Sequence, residues 1–296
     1  MTEKDYSQRF LFEESAVRGE FVQLQESYQT ILSKHAYPVV VQHLLGELLC
    51  ATVMLSSLLK FEGHLAIHAK SEGPVTLLVA ECDERSGVRA IAHVMPDACF
   101  SEQDDVRSLL PNGMLVISIQ PAQGKAYQGI VPLSGATLAH CFENYFQQSE
   151  QLPTRFYLAA DASKAAGLML QQLPSDASLD EQVAQDWEHL TILADTVRAN
   201  ELLALSAQDL LQRLFVEETL RLFEPKPVNF HCRCSREKTE FALAVMGAAE
   251  LEEILAEKSC VTVDCQFCAT RYEFSRHDLG HVLRAGADKA SKHLLH

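Results

Sequence analysis

The stretch His231-Cys-Arg-Cys-Ser235 has a counterpart later in the chain, Asp264-Cys-Gln-Phe-Cys-Ala269, with 30 residues between Cys234 and Cys265. Two thiol pairs at this separation can meet and present four sulfur atoms to one tetrahedral ion, which is what a structural zinc site requires. The Cys-x-Cys pair is the less usual half, because its two thiols can also close into a local disulfide. The four residues therefore predict a bound metal ion or, once oxidised, two short disulfides.

The composition indicates a globular protein and disfavours one that binds nucleic acid. The chain has 296 residues and a mass of 33.0 kDa, which predicts two domains or one domain with an added module. Its hydrophobic content of 47% predicts a sizeable core. The net charge of -15 disfavours a protein that binds a phosphate backbone, so no nucleic-acid partner is expected. Residues 228–296 hold 9 Lys/Arg and 10 Asp/Glu, so the acidity belongs to the preceding part.

The N-terminus and the cysteine usage predict a cytoplasmic protein. The polar start Met1-Thr-Glu-Lys-Asp5 is followed by no apolar segment of the kind found in a secretory signal. The longest apolar stretch, Val39–Leu59, is interrupted by Gln42, His43 and Glu47, so we interpret it as a buried helix and expect no membrane partner. Nine cysteines in such a chain indicate a reducing compartment.

Residues 1–175 are predicted to form an α+β domain with antiparallel sheets, because strand patterns follow one another in series instead of alternating with helices. Turn signals such as Glu72-Gly-Pro74 and Pro111-Asn-Gly113 separate the strands. The predicted strands are two within 8–24, then 64–68, 75–80, 88–94, 114–120 and 126–131, and a hairpin over 154–173. The predicted helices are about 25–35, 38–60 and 136–148.

Residues 176–227 are predicted to form a helical, acidic linker. Ser178 and Glu181 fit a capping box, and a second helix is expected over 206–223. Between residues 176 and 224 there are 11 acidic and 3 basic residues. One interpretation is a packed connector, and the other is a conditionally stable linker whose apolar stripe can be uncovered. The stripe at helical spacing consists of Val183, Trp187, Leu190, Ile192 or Leu193, and Val197.

Residues 228–296 are predicted to form a small C-terminal zinc-binding module. A helical stretch over 235–257 separates the two thiol pairs, and a hairpin of 260–264 and 270–274 flanks the second pair. A last helix is expected after Ser275. About 60 residues are too few to build a large core, so a metal ion must supply much of the folding free energy.

Zinc ligation explains the four clustered thiols best. Four thiolates leave no open position on the ion, which argues against a zinc hydrolase. His231 and His277 are unnecessary as substitute ligands, whereas Cys260 could misligate or join a mixed disulfide. The remaining cysteines are interpreted as small hydrophobic residues. One Zn²⁺ per chain is thus predicted, with the ligands Cys232, Cys234, Cys265 and Cys268.

The energetics make this site a plausible switch. Structural zinc contributes roughly 10–16 kcal/mol of apparent folding free energy in small modules, whereas the net stability of a domain is about 5–15 kcal/mol. Removing the ion should therefore unfold the module. Peroxide oxidises thiolates through sulfenic acid to disulfides, and each disulfide removes two ligands, so oxidation and zinc loss are linked.

The chain resembles the family of redox-regulated holdase chaperones known as the 33-kilodalton heat-shock proteins. The resemblance covers essentially the whole chain, and the two cysteine motifs are its most specific part. The motifs that carry it are Phe12-Glu-Glu-Ser-Ala-Val-Arg-Gly-Glu20, Leu59-Lys-Phe-Glu-Gly63, Gln148-Ser-Glu-Gln-Leu-Pro-Thr-Arg155, Cys232-Arg-Cys-Ser-Arg236 and Cys265-Gln-Phe-Cys268.

The resemblance implies a cytoplasmic protein that is inactive while reduced and zinc-bound. Oxidative stress would form the disulfides Cys232–Cys234 and Cys265–Cys268 and release zinc. The C-terminal module and the linker would then unfold, and the oxidised form, commonly a homodimer, would hold unfolding client proteins without ATP. Cys260 is not part of the family pattern. Because the apolar stripe adjoins the module, the candidate client-contact residues are Trp187, Leu190, Leu193 and Val197.

Three alternatives remain open at this point. A structural zinc ribbon could bind RNA or ribosomes, although few basic residues lie beside the cysteines. An oxidoreductase could turn over disulfides in substrates, although zinc ligation of the same thiols argues against it. The zinc module could also support an unseen activity of residues 1–175. No catalytic residues are predicted there, since His43 and Glu47, which could share a helix face, are interpreted as a core pair.

Overall fold

The computed structural model describes residues 5–58, 63–174 and 180–282. The chain divides into two compact units, Met1–His231 and Cys232–His296. The residues expected to form a separate linker belong to the first unit from residue 180 onward. The predicted capping box at Ser178 lies outside the described residues.

The first unit contains two six-stranded sheets with helices around them. In the part before the linker the elements are β1 (Tyr6–Phe12), β2 (Val17–Leu24), α1 (Glu26–Leu32), α2 (Val39–Leu58), β3 (Gly63–Lys70), β4 (Val75–Cys82), β5 (Gly87–Val94), α3 (Val106–Leu109), β6 (Met114–Pro121), β7 (Tyr127–Pro132), α4 (Leu138–Tyr145), β8 (Thr154–Ala160) and β9 (Ala165–Gln172). A π-helical turn, Phe146–Glu150, extends α4. In the linker they are α5 (Asp180–Ala194), α6 (Ala199–Ala204), α7 (Ala207–Leu214), β10 (Leu220–Leu222) and β11 (Lys226–Pro227). The strand β12 (Asn229–Phe230) lies beyond the predicted linker but still belongs to the first unit.

The sheet topology confirms the α+β prediction. Sheet A has the strand order β10-β1-β2-β9-β8, with β11 also paired to β1. Sheet B has the order β12-β5-β4-β3-β6-β7. Neighbouring strands are antiparallel except the edge strand β12, which pairs in parallel with β5. The parallel pair was not predicted, because β12 is only two residues long and has no strand pattern of its own.

Helix α2 is the centre of the first core, because it packs against strands of both sheets. It is the one helix among the described residues that is long and apolar enough to cross a bilayer, with a hydropathy of 1.7, but 67% of its most apolar window is buried inside the protein. The strands supply alternate residues to this core, as expected for a period of two. In β2, for example, Val22 and Leu24 face α2.

The other face of sheet A is covered by the linker. In β1 the side chains of Phe10 and Phe12 point away from α2 and form a second apolar cluster with the linker helices. Leu210 and Leu214 of α7 and Phe215 are buried in this cluster. The packed-connector interpretation of the linker therefore describes this structure.

The predicted helix over 206–223 is wrong in its second half. Helix α7 ends at Leu214, and the chain returns as β10 to pair with β1, where Phe10 is opposite Leu222. The apolar residues of α7 have helical spacing, but Leu220 and Leu222 alternate with polar residues and gain backbone partners on the edge of sheet A. Helix α6, in a stretch that was not predicted, lies between α5 and α7.

The second unit is a small α+β module. Its elements are α8 (Arg236–Met246), α9 (Ala248–Glu257), β13 (Cys260–Asp264) and β14 (Arg271–Ser275). The single helix expected over 235–257 is interrupted at Gly247, whose φ of +105° favours glycine. The predicted helix after Ser275 begins at residue 280, and the described residues end at residue 282. The core is small, and its buried residues are Leu243, Leu251, Leu255, Val261, Phe274, Leu279 and Val282.

Candidate metal centre

The first thiol pair leads directly into helix α8. Ser235 follows Cys234 and is the N-cap of the helix, where its side chain accepts a hydrogen bond of 3.2 Å from the backbone N–H of Lys238. The Lys238 ammonium donates to the carbonyl of Arg233 at 2.8 Å, between the two cysteines. These bonds fix the short Cys-x-Cys segment relative to the helix.

The second thiol pair lies in the loop that joins β13 and β14. The backbone N–H of Cys265 donates to the Thr270 carbonyl at 2.9 Å, and that of Ala269 donates to the Cys265 carbonyl at 2.8 Å. Ala269 has a φ of +58°, in the left-handed region. Below the loop, Arg271 forms two hydrogen bonds with Asp264, of 2.8 and 2.9 Å. The loop is thus closed tightly enough to orient both thiols.

The two pairs converge into one cluster. The sulfur atoms of Cys232, Cys234, Cys265 and Cys268 all lie within 4.8 Å of one another. The Cys232–Cys265 sulfur distance is 3.7 Å and the Cys234–Cys268 distance is 3.4 Å. A tetrahedral zinc ion with bonds of about 2.3 Å would place its sulfur ligands about 3.8 Å apart. The four residues therefore fit a zinc ion in number, chemistry and spacing.

Two hydroxyl groups contact the cluster from outside. The Tyr272 hydroxyl donates to Cys234 Sγ at 3.1 Å, and Thr270 Oγ1 lies 3.1 Å from Cys268 Sγ. Burial raises the pKa of Cys234, and the Tyr272 hydroxyl offsets part of this effect. Burial also opposes ionisation of Cys268, but the hydroxyl and backbone of Thr270 lower its pKa to about 6. The residues around the cluster thus favour a thiolate at Cys268, the form that binds metal ions.

The substitute ligands considered from the sequence lie elsewhere. His231 Nδ1 is 2.9 Å from Asp83 Oδ2 within the first unit, and His277 is not one of the four clustered residues. Cys260 is at the far end of β13, opposite Ser275. A strand rises about 3.3 Å per residue, so Cys260 is roughly 13 Å along the strand from Asp264. In the folded module Cys260 is therefore too distant to ligate the same ion.

The remaining cysteines are placed much as the sequence suggested. Cys50, Cys82 and Cys141 are buried, whereas Cys99 is exposed. All nine cysteines of the chain lie within the described ranges and are in the thiol form.

The candidate client-contact residues lie against sheet A. Leu190 is 1% exposed, and Trp187, Leu193 and Val197 are partly buried against the same apolar cluster. Ile192 is 59% exposed, so Leu193 is the member of the stripe that faces inward. The stripe is covered in this structure, as the uncovering hypothesis requires of an inactive state.

Sequence reasoning missed the surface on which the stripe lies. The apolar face of sheet A that the linker covers includes Phe10, Phe12, Val17, Phe21, Leu168 and Leu170. The alternation of Phe10 and Phe12 indicated that one face of this strand is apolar. Nothing in the pattern indicated which segment would cover that face. If the linker leaves, both the stripe and this face become exposed.

A polar contact also joins the linker to sheet A. Arg155 of β8 lies 3.1 Å from Asp195, just after α5, and 3.3 Å from Glu143 of α4. The Tyr157 hydroxyl donates to Asp195 at 2.6 Å. The carboxylate at the end of α5 is thus bound by two side chains of one strand.

Comparison with known proteins identifies the family. The sequence model described as "Hsp33 protein" matches residues 5–275 of the chain. This chain belongs to the Hsp33 family. That result confirms the resemblance seen in the cysteine motifs.

Curated Hsp33 relatives match along nearly their whole length. The 33 kDa chaperonin of Pseudomonas paraeruginosa is 48% identical over 97% of both chains. That of Ectopseudomonas mendocina is 47% identical over 99% of both chains. The crystal structure of the Hsp33 homologue from Thermotoga maritima has a TM-score of 0.82, with 24% identity over 96% of this chain and 99% of the other. At that identity the solved structure supports the fold alone.

Proposed function

We propose that this protein is a redox-regulated, ATP-independent holdase chaperone that works in the cytoplasm and has no catalytic site. The observation that carries the proposal is the convergence of four thiols at the start of a module whose core is too small to be stable by itself. Membership in a family whose curated relatives are named 33 kDa chaperonin supports the chaperone activity.

In the reduced state the four cysteines hold one Zn²⁺ ion. The ion supplies folding free energy of roughly 10–16 kcal/mol in such modules. The N-cap at Ser235 and the closed loop at Cys265 orient the two thiol pairs in the folded module, so ion binding and folding of the module support each other. Four sulfur ligands leave no position for a reacting water, so the role of the ion is structural.

Oxidation converts the ligands into the disulfides Cys232–Cys234 and Cys265–Cys268. For each bond, two thiols and one hydrogen peroxide give one disulfide and two water molecules, so two ligands are lost per oxidant. The folded cluster does not favour one pairing, since all four sulfurs are close together. Once the module opens, the pairs with one and two intervening residues close the shortest loops, which favours local pairing.

Loss of the module then allows the linker, residues 176–227, to act as a separate segment. Its release would uncover the stripe of Trp187, Leu190, Leu193 and Val197, together with the face of sheet A beneath it. Exposed apolar surface of this kind binds unfolding proteins and also favours a homodimer of the oxidised chain. The net charge of -15 opposes further self-association.

The test compares two states of the same protein in one assay. Light scattering from a heat-unfolding client is recorded with the chain reduced and zinc-loaded, and again after peroxide treatment. Suppression of aggregation only after oxidation is expected, and Cys260→Ser should behave like the wild type because Cys260 lies outside the cluster. Suppression in neither state, with zinc retained after peroxide, would reduce the cluster to a structural element. Salt-dependent RNA binding would instead favour the zinc-ribbon alternative.

A further inference from the structure

The hydroxyl groups of Thr270 and Tyr272 each contact one sulfur of a different thiol pair. Thr270 contacts Cys268, and Tyr272 contacts Cys234, both at 3.1 Å. Thr270 immediately precedes β14 and Tyr272 is the second residue of that strand, and both hydroxyls reach the sulfur cluster. Two hydroxyl groups from one short segment thus contact both thiol pairs of the cluster.

We propose that Tyr272 and Thr270 are positioning residues that set the separate reaction rates of Cys234 and Cys268. With the sulfurs protonated, the Tyr272 hydroxyl donates to Cys234, and the Cys268 thiol donates to the Thr270 hydroxyl. A zinc-bound thiolate has no hydrogen to donate, so in the metal-loaded state both hydroxyls donate to their sulfurs. A sulfur lone pair that accepts a hydrogen bond is less available to attack an electrophile. The inference rests on the proposed function for its biological meaning, but the contacts can be tested without chaperone activity.

The step that they control is the first one of oxidation. The thiolate sulfur attacks the OH oxygen of a hydroperoxide and the O–O bond breaks. A sulfenic acid forms on the cysteine, and an alkoxide or hydroxide leaves. The second thiolate of the pair then attacks the sulfenic sulfur, the S–O bond breaks, and a disulfide and hydroxide form. Because each pair has one hydroxyl-bonded cysteine, each hydroxyl slows its own pair.

Substitutions can remove the hydroxyls while keeping the shapes of the side chains. Tyr272 is partly buried against the core of the module, and Tyr272→Phe retains the ring that packs there. Thr270 is exposed, and Thr270→Val keeps its branched shape. Thr270→Ser keeps the hydroxyl and should restore the wild-type rate. Matched controls are Tyr127→Phe in the first unit and Thr262→Val in the exposed part of β13.

The experiment measures how fast iodoacetamide alkylates each cysteine in the full-length, zinc-loaded protein, with mass spectrometry to resolve the sites. Removing an outer partner of a metal ligand changes metal affinity by about 10–100-fold. We expect alkylation to be about tenfold faster at Cys234 in Tyr272→Phe and at Cys268 in Thr270→Val, with little change at the other site. The controls should match the wild type.

Equal acceleration at all four cysteines would overturn the proposal, because it would mean that the module is merely loosened. An unchanged alkylation rate at Cys234 in Tyr272→Phe, or at Cys268 in Thr270→Val, would overturn it as well. If Tyr272→Phe fails to retain zinc, the proposal is tested at Cys268 alone. There the alkylation rate of Thr270→Val should exceed that of Thr270→Ser. The two proposals can fail separately. If the alkylation pattern is as expected but peroxide-treated wild type does not suppress client aggregation, the proposed function is refuted and this inference stands.

Discussion

The guanidinium of Arg155 lies 3.1 Å from the carboxylate of Asp195, so a strand of sheet A binds the linker at the end of its first helix. The same carboxylate accepts a hydrogen bond of 2.6 Å from the Tyr157 hydroxyl. The linker is therefore held by this polar contact, by the pairing of β10 and β11 with β1, and by apolar packing of its helices. These contacts can be weakened separately.

Asp195→Asn should loosen the linker without releasing it. The substitution keeps an oxygen for Tyr157 but removes the charge that Arg155 binds. Both charged groups are partly exposed, with 38% and 47% of their side-chain surface accessible, so the loss is at most about 1 kcal/mol. Amide hydrogen exchange in α5 and α6 of the reduced protein should be up to about fivefold faster. Glu188→Gln, an exposed charge change on α5, should leave the exchange rate unchanged.

Phe215→Ala should release the linker in the reduced protein. The Phe215 ring is 2% exposed and contacts the Phe12 ring edge-on at a centroid distance of 5.0 Å. Truncating a buried phenylalanine costs about 3–5 kcal/mol. The zinc-loaded variant should suppress client aggregation under reducing conditions, whereas Val216→Ala, at a 75% exposed position, should not. Rapid exchange in α7 without any suppression would argue against the linker surface as the client site.

The stability of the first unit should fall as pH rises toward neutrality, because of Glu20. Burial raises the pKa of this carboxyl to about 7, against the opposing effects of Ser57, Ser7, Arg9 and Lys226. Buried Glu47, whose pKa is raised to about 8, adds a separate pH dependence that continues to about pH 8. At Glu20 itself the folded state binds more protons than the unfolded state between about pH 4.5 and 7, so the Glu20 contribution to the free energy of unfolding falls through that window and is flat above it.

Glu20→Gln should remove this pH dependence. The variant should be more stable than the wild type at pH 8, by an amount on the order of 3 kcal/mol from a pKa difference of about 2.5 units, and similar to it at pH 4.5. Urea denaturation at several pH values, followed by a probe in the first unit, checks the prediction. The exposed Glu14→Gln is the control. Parallel pH profiles of Glu20→Gln and the wild type would show that Glu20 is not the source.

Ala269→Val should weaken metal retention by the thiol module. Ala269 closes the loop between Cys265 and Thr270 with a φ of +58°, which β-branched residues adopt only with strain of more than about 1 kcal/mol. Zinc should therefore be lost to a competing chelator at a concentration about five- to tenfold lower. Ala269→Asn, which tolerates this conformation, should behave like the wild type. Equal chelator sensitivity of the two variants would contradict this account.

Much of the fold followed from local patterns in the sequence. In β7, for example, alternate residues are buried, whereas β9 is buried over nearly its whole length. The hairpin that flanks the second thiol pair was also predicted. Sequence spacing was also sufficient for the metal cluster, because a Cys-x-Cys and a Cys-x-x-Cys segment can present four sulfurs only by meeting. Local chemistry therefore predicted the α+β class and the four clustered residues.

The contacts between distant segments were not predictable. Asp195 and Arg155 are 40 residues apart, and neither carries a local sign of its partner. The strand β10 was hidden within a predicted helix, because its pairing with β1 depends on the free edge of sheet A. The helix break at Gly247 and the parallel pairing of β12 likewise depend on tertiary structure.

The parallel pairing of β12 with β5 ends one residue before His231, and Cys232 follows immediately. The His231 side chain is bound by Asp83 and its backbone N–H by the Val88 carbonyl. Opening of the thiol module therefore need not spread past residue 231, since these bonds and those of β11 must break in a second event. If oxidation opens the thiol module as proposed, β11 and β12 would remain paired until a separate disturbance breaks their backbone hydrogen bonds.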